Sequence, residues 1–186
     1  LQIDSSLIEA KISKKTKAII AAHMFGRPCN VEQIGKICKA KKIAFIEDVC
    51  QAESSKYKGR MLGSFGDMAA FSFSYYKPLS SCGGGGGLVV FNGDKGNRIR
   101  QWMEDWRNDG ELLKTGQRFA PMSFMDLIAL QVKFSRLKEI IKSRHLIKAL
   151  YEEGLSSLKG LTIFKDQDKT ESVAQNFVVC TKNKDK

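Results

Sequence analysis

The chain has no pair of cysteines at C-x-x-C spacing, and its five cysteines (Cys29, Cys38, Cys50, Cys82 and Cys180) are scattered and odd in number. That pattern argues against a disulfide framework or a zinc site and predicts reduced thiols, with a cytoplasmic location. Neither G-x-G-x-x-G nor the full P-loop pattern occurs, which removes the two common sequence routes to nucleotide binding. Histidine is scarce: His23 and His145 are the only two, and no Ser-His-Asp set or metal-ligand spacing can be built around either. No run approaches the roughly 18 apolar residues that a membrane span needs, and no signal-peptide pattern opens the chain. There is no internal repeat.

Ordinary features fill the space these absences leave. The 186 residues are 42% apolar, enough for one soluble domain with a buried core. The chain opens at Leu1 without Met and stops in a lysine-rich tail just after an apolar run, which reads as an internal piece of a longer protein. Lys and Arg outnumber Asp and Glu by 31 to 20, for a net charge of +11. Such an excess can mark a nucleic-acid surface. Here the basic residues are spread over helices and loops, and the aromatics sit in apolar runs, so a solvated lysine-rich surface is the expectation.

Apolar patterning predicts an α/β chain. Lys17–Ala22 reads as a buried strand. A helix follows, capped by Asn30 with Gln33 completing a capping box, and with Val31, Ile34 and Cys38 on its apolar stripe. Ile43-Ala44-Phe45-Ile46 is fully apolar, as in a parallel strand covered on both faces. Met68–Phe73 and Leu88–Phe91 are further strands, and Lys58-Gly59-Arg60 is a turn. A helix is expected from about Lys95 to Arg107. A longer one is expected from Ser123 to beyond Leu150, with Leu127, Leu130, Phe134, Leu137 and Ile141 on one face. The pattern shortens after Gly154, which places a domain change near residue 155.

The chemistry concentrates at Lys77 and Asp48. Lys77 closes the apolar segment Phe71–Tyr76 and stands shortly before five consecutive glycines, Gly83 to Gly87. Asp48 lies just past the end of a predicted parallel strand, where ligands bind in open α/β sheets. A lysine and a strand-terminal aspartate form the polar pair that pyridoxal phosphate needs: an amine for a Schiff base and a carboxylate for the ring nitrogen. Position alone leaves a surface acid or helix cap open for Asp48 and a solvated amine open for Lys77. The glycine run is either a flexible link or a place where backbone passes close to a ligand or a partner.

Several ordered motifs carry a resemblance. They are Lys15-Thr16-Lys17-Ala18-Ile19-Ile20, His23-Met24-Phe25-Gly26-Arg27-Pro28, Ile46-Glu47-Asp48-Val49-Cys50-Gln51-Ala52, Tyr57-Lys58-Gly59-Arg60, Gly63-Ser64-Phe65-Gly66-Asp67, Phe71-Ser72-Phe73 with Lys77, and Arg107-Asn108 with Gly110. Together they resemble the DegT/DnrJ/EryC1/StrS group of pyridoxal-phosphate-dependent sugar aminotransferases, almost continuously from Ile3 to about Leu155. The resemblance implies the large domain of a fold-type I transferase: α/β, with a mixed, mostly parallel sheet, truncated at both ends. Residues 1–154 would belong to that domain and residues 155–186 would begin a small C-terminal one.

The resemblance also implies roles. Lys77 would form the internal aldimine with pyridoxal 5'-phosphate and later shuttle a proton. Asp48 would pair with the pyridinium nitrogen, Gln51 with the ring hydroxyl and Ser72 with the phosphate, while Cys50 would pack on the ring face. The substrates would be a nucleotide-linked keto-sugar and an amino-acid donor, glutamate or glutamine, in a homodimer with neither nucleic acid nor membrane as a partner. Pro78 and Gly84 depart from the group's usual Asn and acid. Its phosphate-reaching Asn, donated across the dimer, has no counterpart in Gly116–Met122, where Arg118 is the candidate for a substrate phosphate. A keto-cyclitol aminotransferase, a sugar dehydratase and a non-catalytic regulatory relative are the rival readings. Dehydratase relatives carry histidine in place of the lysine, so Lys77 argues against that rival.

Overall fold

The computed structural model describes residues 2–108 and 122–181. Four strands build the main sheet: β1 (Ala18–Ala22), β2 (Ala44–Asp48), β5 (Met68–Ser72) and β6 (Gly86–Val90), in the order β1-β2-β5-β6. The first three run parallel and β6 joins antiparallel, so the sheet is mixed and mostly parallel, as expected. The remaining short strands are β3 (Lys56–Tyr57), β4 (Arg60–Met61), β7 (Leu161–Ile163), β8 (Thr170–Glu171) and β9 (Val179–Thr181).

Helix α1 (Val31–Lys41) is the crossover between β1 and β2. Asn30 caps it, its side chain accepting from the Gln33 N–H at 3.1 Å. The predicted capping box does not close. The Gln33 side chain turns instead to the Asn30 amide and the Ser5 hydroxyl. Val31, Ile34, Ile37 and Cys38 of α1 meet Ile19, Ala21 and Phe45 of the sheet in one core cluster. Full burial of side chains such as Val31 and Ile34 contributes roughly 1.5–3 kcal/mol apiece.

In the run expected to be covered on both faces, Phe45 is buried toward α1, and Ile43, Ala44 and Ile46 are half-buried. Ile19 and Ala21 of β1 are buried while Ile20 between them is 62% exposed. Strand alternation puts Ile20 on the opposite face from α1.

Helix α2 (Gly93–Asn108) matches its expected span closely. The single long helix does not. It divides into α3 (Phe124–Ser135) and α4 (Leu137–Leu155) at Arg136, whose φ of −100° and ψ of 7° leave the helical range. Ser123 and Asp126 form a complete capping box at the start of α3. The anticipated apolar stripe is not a core face, because neither helix has a buried residue and Phe134 is 65% exposed. Lys58 and Gly59 both adopt positive φ, which makes the turn between β3 and β4 a tight two-residue hairpin.

Beyond residue 155, β8 pairs with β3 of that hairpin. The Val173 N–H donates to the Ser55 hydroxyl (2.9 Å), and Arg27 donates to the Phe164 carbonyl (2.6 Å). The segment expected to open a second domain is thus tied to the first by strand pairing and side-chain hydrogen bonds.

Candidate active site

Parallel pairing of β2 with β5, in which Asp48 stands opposite Ala70, brings the carboxyl ends of both strands to one edge of the sheet. Asp48 closes β2 and Ser72 closes β5. The chain then turns through Ser74, whose carbonyl accepts from the Lys77 N–H at 2.9 Å. That turn carries Lys77 back into the protein, 7% exposed, with Nζ 4.8 Å from the centre of the Tyr76 ring. An open sheet offers a ligand site at this edge.

Asp48 is held from both sides. Its Oδ1 accepts from the Cys50 N–H (3.0 Å), and its backbone carbonyl accepts from the His23 N–H (3.0 Å). Gln51 Oε1 accepts from the Phe25 N–H at 2.7 Å, which leaves the amide NH2 as the group free to donate. Ser72 Oγ lies 3.0 Å from Ser74 Oγ. Burial, with the Asp48 carboxylate beside it, pushes the Cys50 thiol up to about 12 although the Lys77 charge opposes the rise. It stays a neutral packing group, not a thiolate nucleophile. The structure therefore gathers Lys77, Asp48, Cys50, Gln51 and Ser72 from two neighbouring strand ends. Arg118 lies outside the described residues.

These residues fit pyridoxal phosphate. A buried amine, an oriented carboxylate at a strand end, an amide with free N–H groups and paired hydroxyls are the donors and acceptors that an aldehyde, a ring nitrogen, a ring hydroxyl and a phosphate require. The glycine run fits close backbone approach. A Cβ on Gly86 would stand 2.5 Å from the Phe71 carbonyl oxygen, so only glycine lets β6 lie against β5 there.

Two features were not legible as a site in the sequence. The first is a clasp beneath Asp48. Glu47 points to the opposite face of β2 and is fully buried, accepting from the N–H groups of Gly63 (2.9 Å), Phe65 (2.7 Å) and Gly66 (2.8 Å). The Cys29 N–H donates to His23 Nδ1 (3.0 Å), so the ring proton sits on Nε2, 3.3 Å from Glu47 Oε2. Burial alone would raise the Glu47 carboxyl; His23 and the three backbone donors outweigh it and lower it. Gly63 has a φ of +86°, which aims its N–H at Glu47 and favours glycine. The signal available was an acid at an inward-facing position of an apolar strand.

The second is Glu53, 4% exposed, with neither carboxylate oxygen hydrogen-bonded to another described residue. Burial pushes it up to about 7, against the opposing charges of Lys77 and Arg144.

Comparison with known proteins identifies the family. The model of the DegT/DnrJ/EryC1/StrS aminotransferase family matches residues 1–186. A GDP-perosamine synthase from Escherichia coli O157:H7 is 46% identical over 91 residues, covering 49% of this chain and 24% of that protein. A dTDP-3-amino-3,4,6-trideoxy-alpha-D-glucose transaminase from Streptomyces venezuelae is 27% identical over 183 residues, covering 98% of this chain and 48% of its own length. The crystal structure of S. venezuelae DesV in complex with a ketimine intermediate superposes with a TM-score of 0.86 at 25% identity, over 99% of this chain and 50% of that one. The match thus spans about half the length of the transaminase and of DesV, and about a quarter of the perosamine synthase. A family match along the whole sequence, joined to the strand-end site just described, shows that this chain belongs to the DegT/DnrJ/EryC1/StrS aminotransferase family.

Proposed function

We propose that this chain forms the lysine-bearing part of a pyridoxal-phosphate-dependent aminotransferase that moves an amino group from glutamate or glutamine onto a nucleotide-linked keto-sugar. The observation that carries the reading is the shared edge of β2 and β5, where Asp48 and the Ser72–Lys77 turn meet. The names of the matched relatives, a perosamine synthase and an amino-sugar transaminase, support the substrate class. Within that reading, residues 155–186 begin the small C-terminal domain, the working unit is a cytoplasmic homodimer, and neither nucleic acid nor membrane is a partner. No helix among the described residues is long and apolar enough to cross a membrane.

When bound, pyridoxal phosphate supplies an aldehyde for an amine to attack and a ring that withdraws electrons. The Lys77 amine is the group placed to attack and, once freed, to carry a proton. Asp48, oriented by the Cys50 N–H, holds a negative charge where a ring nitrogen needs to keep its proton. Gln51 offers its NH2 to a ring oxygen, and the hydroxyls of Ser72 and Ser74 suit a phosphate oxygen. Cys50 supplies a neutral apolar contact. Arg118 is assigned to a substrate phosphate on the resemblance alone.

In the complete protein, borohydride reduction followed by peptide mapping should fix the cofactor to the peptide containing Lys77. Lys77→Ala should abolish both the adduct and transamination while leaving the fold in place. Cofactor found on another lysine overturns the assignment.

A further inference from the structure

Lys77 needs a resting place whenever its amine is not bonded to a cofactor, and the structure contains a group suited to supply one. Glu53 is buried, and neither carboxylate oxygen has a hydrogen-bond partner among the described residues. Leaving a buried polar atom unpaired costs about 1–3 kcal/mol, more for a charged one, so such a group in a native fold calls for a partner that arrives.

The titratable groups acting on Glu53 are Lys77, Arg144 and the protonated Cys50 thiol. Arg144 is tethered: it donates to the Ala174 carbonyl at 3.0 Å and the Gln175 carbonyl at 3.4 Å from its place on α4. Lys77 is not. Its side chain forms no ion pair among the described residues, and its nitrogen rests against the Tyr76 ring. The backbone beneath it is held, since Gln175 Nε2 donates to the Tyr76 carbonyl (3.2 Å). A fixed backbone with a flexible arm lets the ammonium move while its root stays still.

We propose that Glu53 is a positioning residue that docks the freed Lys77 ammonium, drawing it back from the cofactor side whenever the Glu53 carboxyl is ionised. The proposal rests on the reading of Lys77 as the reactive amine. Of the two cations acting on the acid, Arg144 is hydrogen-bonded to backbone carbonyls and Lys77 has no ion pair among the described residues, so Lys77 is the one left to answer its charge. The dock is pH-gated. Below about 7 burial keeps Glu53 protonated and without attraction for a cation; above it the carboxylate forms and recruits Lys77.

The test uses the complete protein with its cofactor removed. Lysines are pulse-labelled by formaldehyde with cyanoborohydride, and labelling is read by peptide mass in the wild type and in Glu53→Gln, which preserves the shape of the neutral acid. At pH 8 Lys77 should label about tenfold faster in Glu53→Gln, the size expected from removing one nearby opposite charge. At pH 5.5 the two proteins should label Lys77 alike, and exposed Lys14 should label equally in both at either pH. Equal Lys77 labelling at pH 8 overturns the dock. So does equal acceleration at both pH values, which would mean local loosening only. Should Glu53→Gln fail to fold, a pH 5.5-to-8 profile of Lys77 in the wild type decides the matter by whether labelling lags behind Lys14 above pH 7. None of these readouts depends on where the cofactor attaches, so losing the dock and losing the Lys77 assignment are separate results.

Discussion

Glu47 and Glu53 lie close together in sequence, both buried, and their environments push them in opposite directions. Glu47 is lowered, so the stability it contributes is present above its unfolded value of 4.5 and is lost as pH falls through its lower folded value. Glu53 is raised, so its contribution is complete below 4.5 and is lost as pH rises through about 7. Glu47→Gln keeps the shape but puts an NH2 where an acceptor faces backbone N–H groups. It should destabilise the chain by about 2–4 kcal/mol at neutral pH, measured by urea unfolding, and should remove the wild type's loss of stability below pH 4.5. A loss under 1 kcal/mol would mean that the loop of Gly63 to Gly66 holds itself. The sequence singles out Lys77 and Asp48 by their places beside apolar runs, and Gln51 and Ser72 through the family resemblance; the structure brings all four to neighbouring strand ends. Glu53 was not legible in the sequence, since an acid in a mixed loop reads as solvated. Ser172 to Gln175 and α4, which reach its neighbourhood, come from far along the chain.

Helix α1 shows how far local signals go. Asn30 was identifiable as its cap, and the hydrogen bond to the Gln33 N–H is present. Asn30→Ala should lower stability by about 1 kcal/mol and Asn30→Gly by only a few tenths, seen as a shift of the urea midpoint with an unchanged slope. A neutral Asn30→Ala would mean that core contacts alone hold the first turn. The break between α3 and α4 was invisible because spacings of three and four continue across Arg136, and periodicity reports a face, not continuity. The capping box was misplaced for a similar reason: Gln33 finds Ser5, a contact that sequence spacing does not encode.

Fold class was legible from the alternation of strands and a helix, since β1, α1 and β2 bury one another's apolar residues. Charge belongs to this scale too. With a net charge of +11, the chain should bind random duplex DNA weakly, and a salt titration should show a slope corresponding to only a few released counterions. A steep slope with affinity retained at physiological salt would make nucleic acid a partner after all.

The bond from Val173 to Ser55 spans a sequence separation of 118, and the Lys56–Glu171 ion pair at 3.0 Å beside it spans 115. Such distant pairings must wait for a long loop to close, whereas β1, α1 and β2 are sequence neighbours. This separation predicts an order in time: the strand carrying Asp48 should be set early, and the segment that ties down Tyr76 and anchors Arg144 should arrive later. A nascent chain holds the Asp48 side of the site before it can steady the Lys77 side. If Lys77 is the amine proposed above, the capacity to fasten an aldehyde should trail collapse of the sheet in a refolding time course.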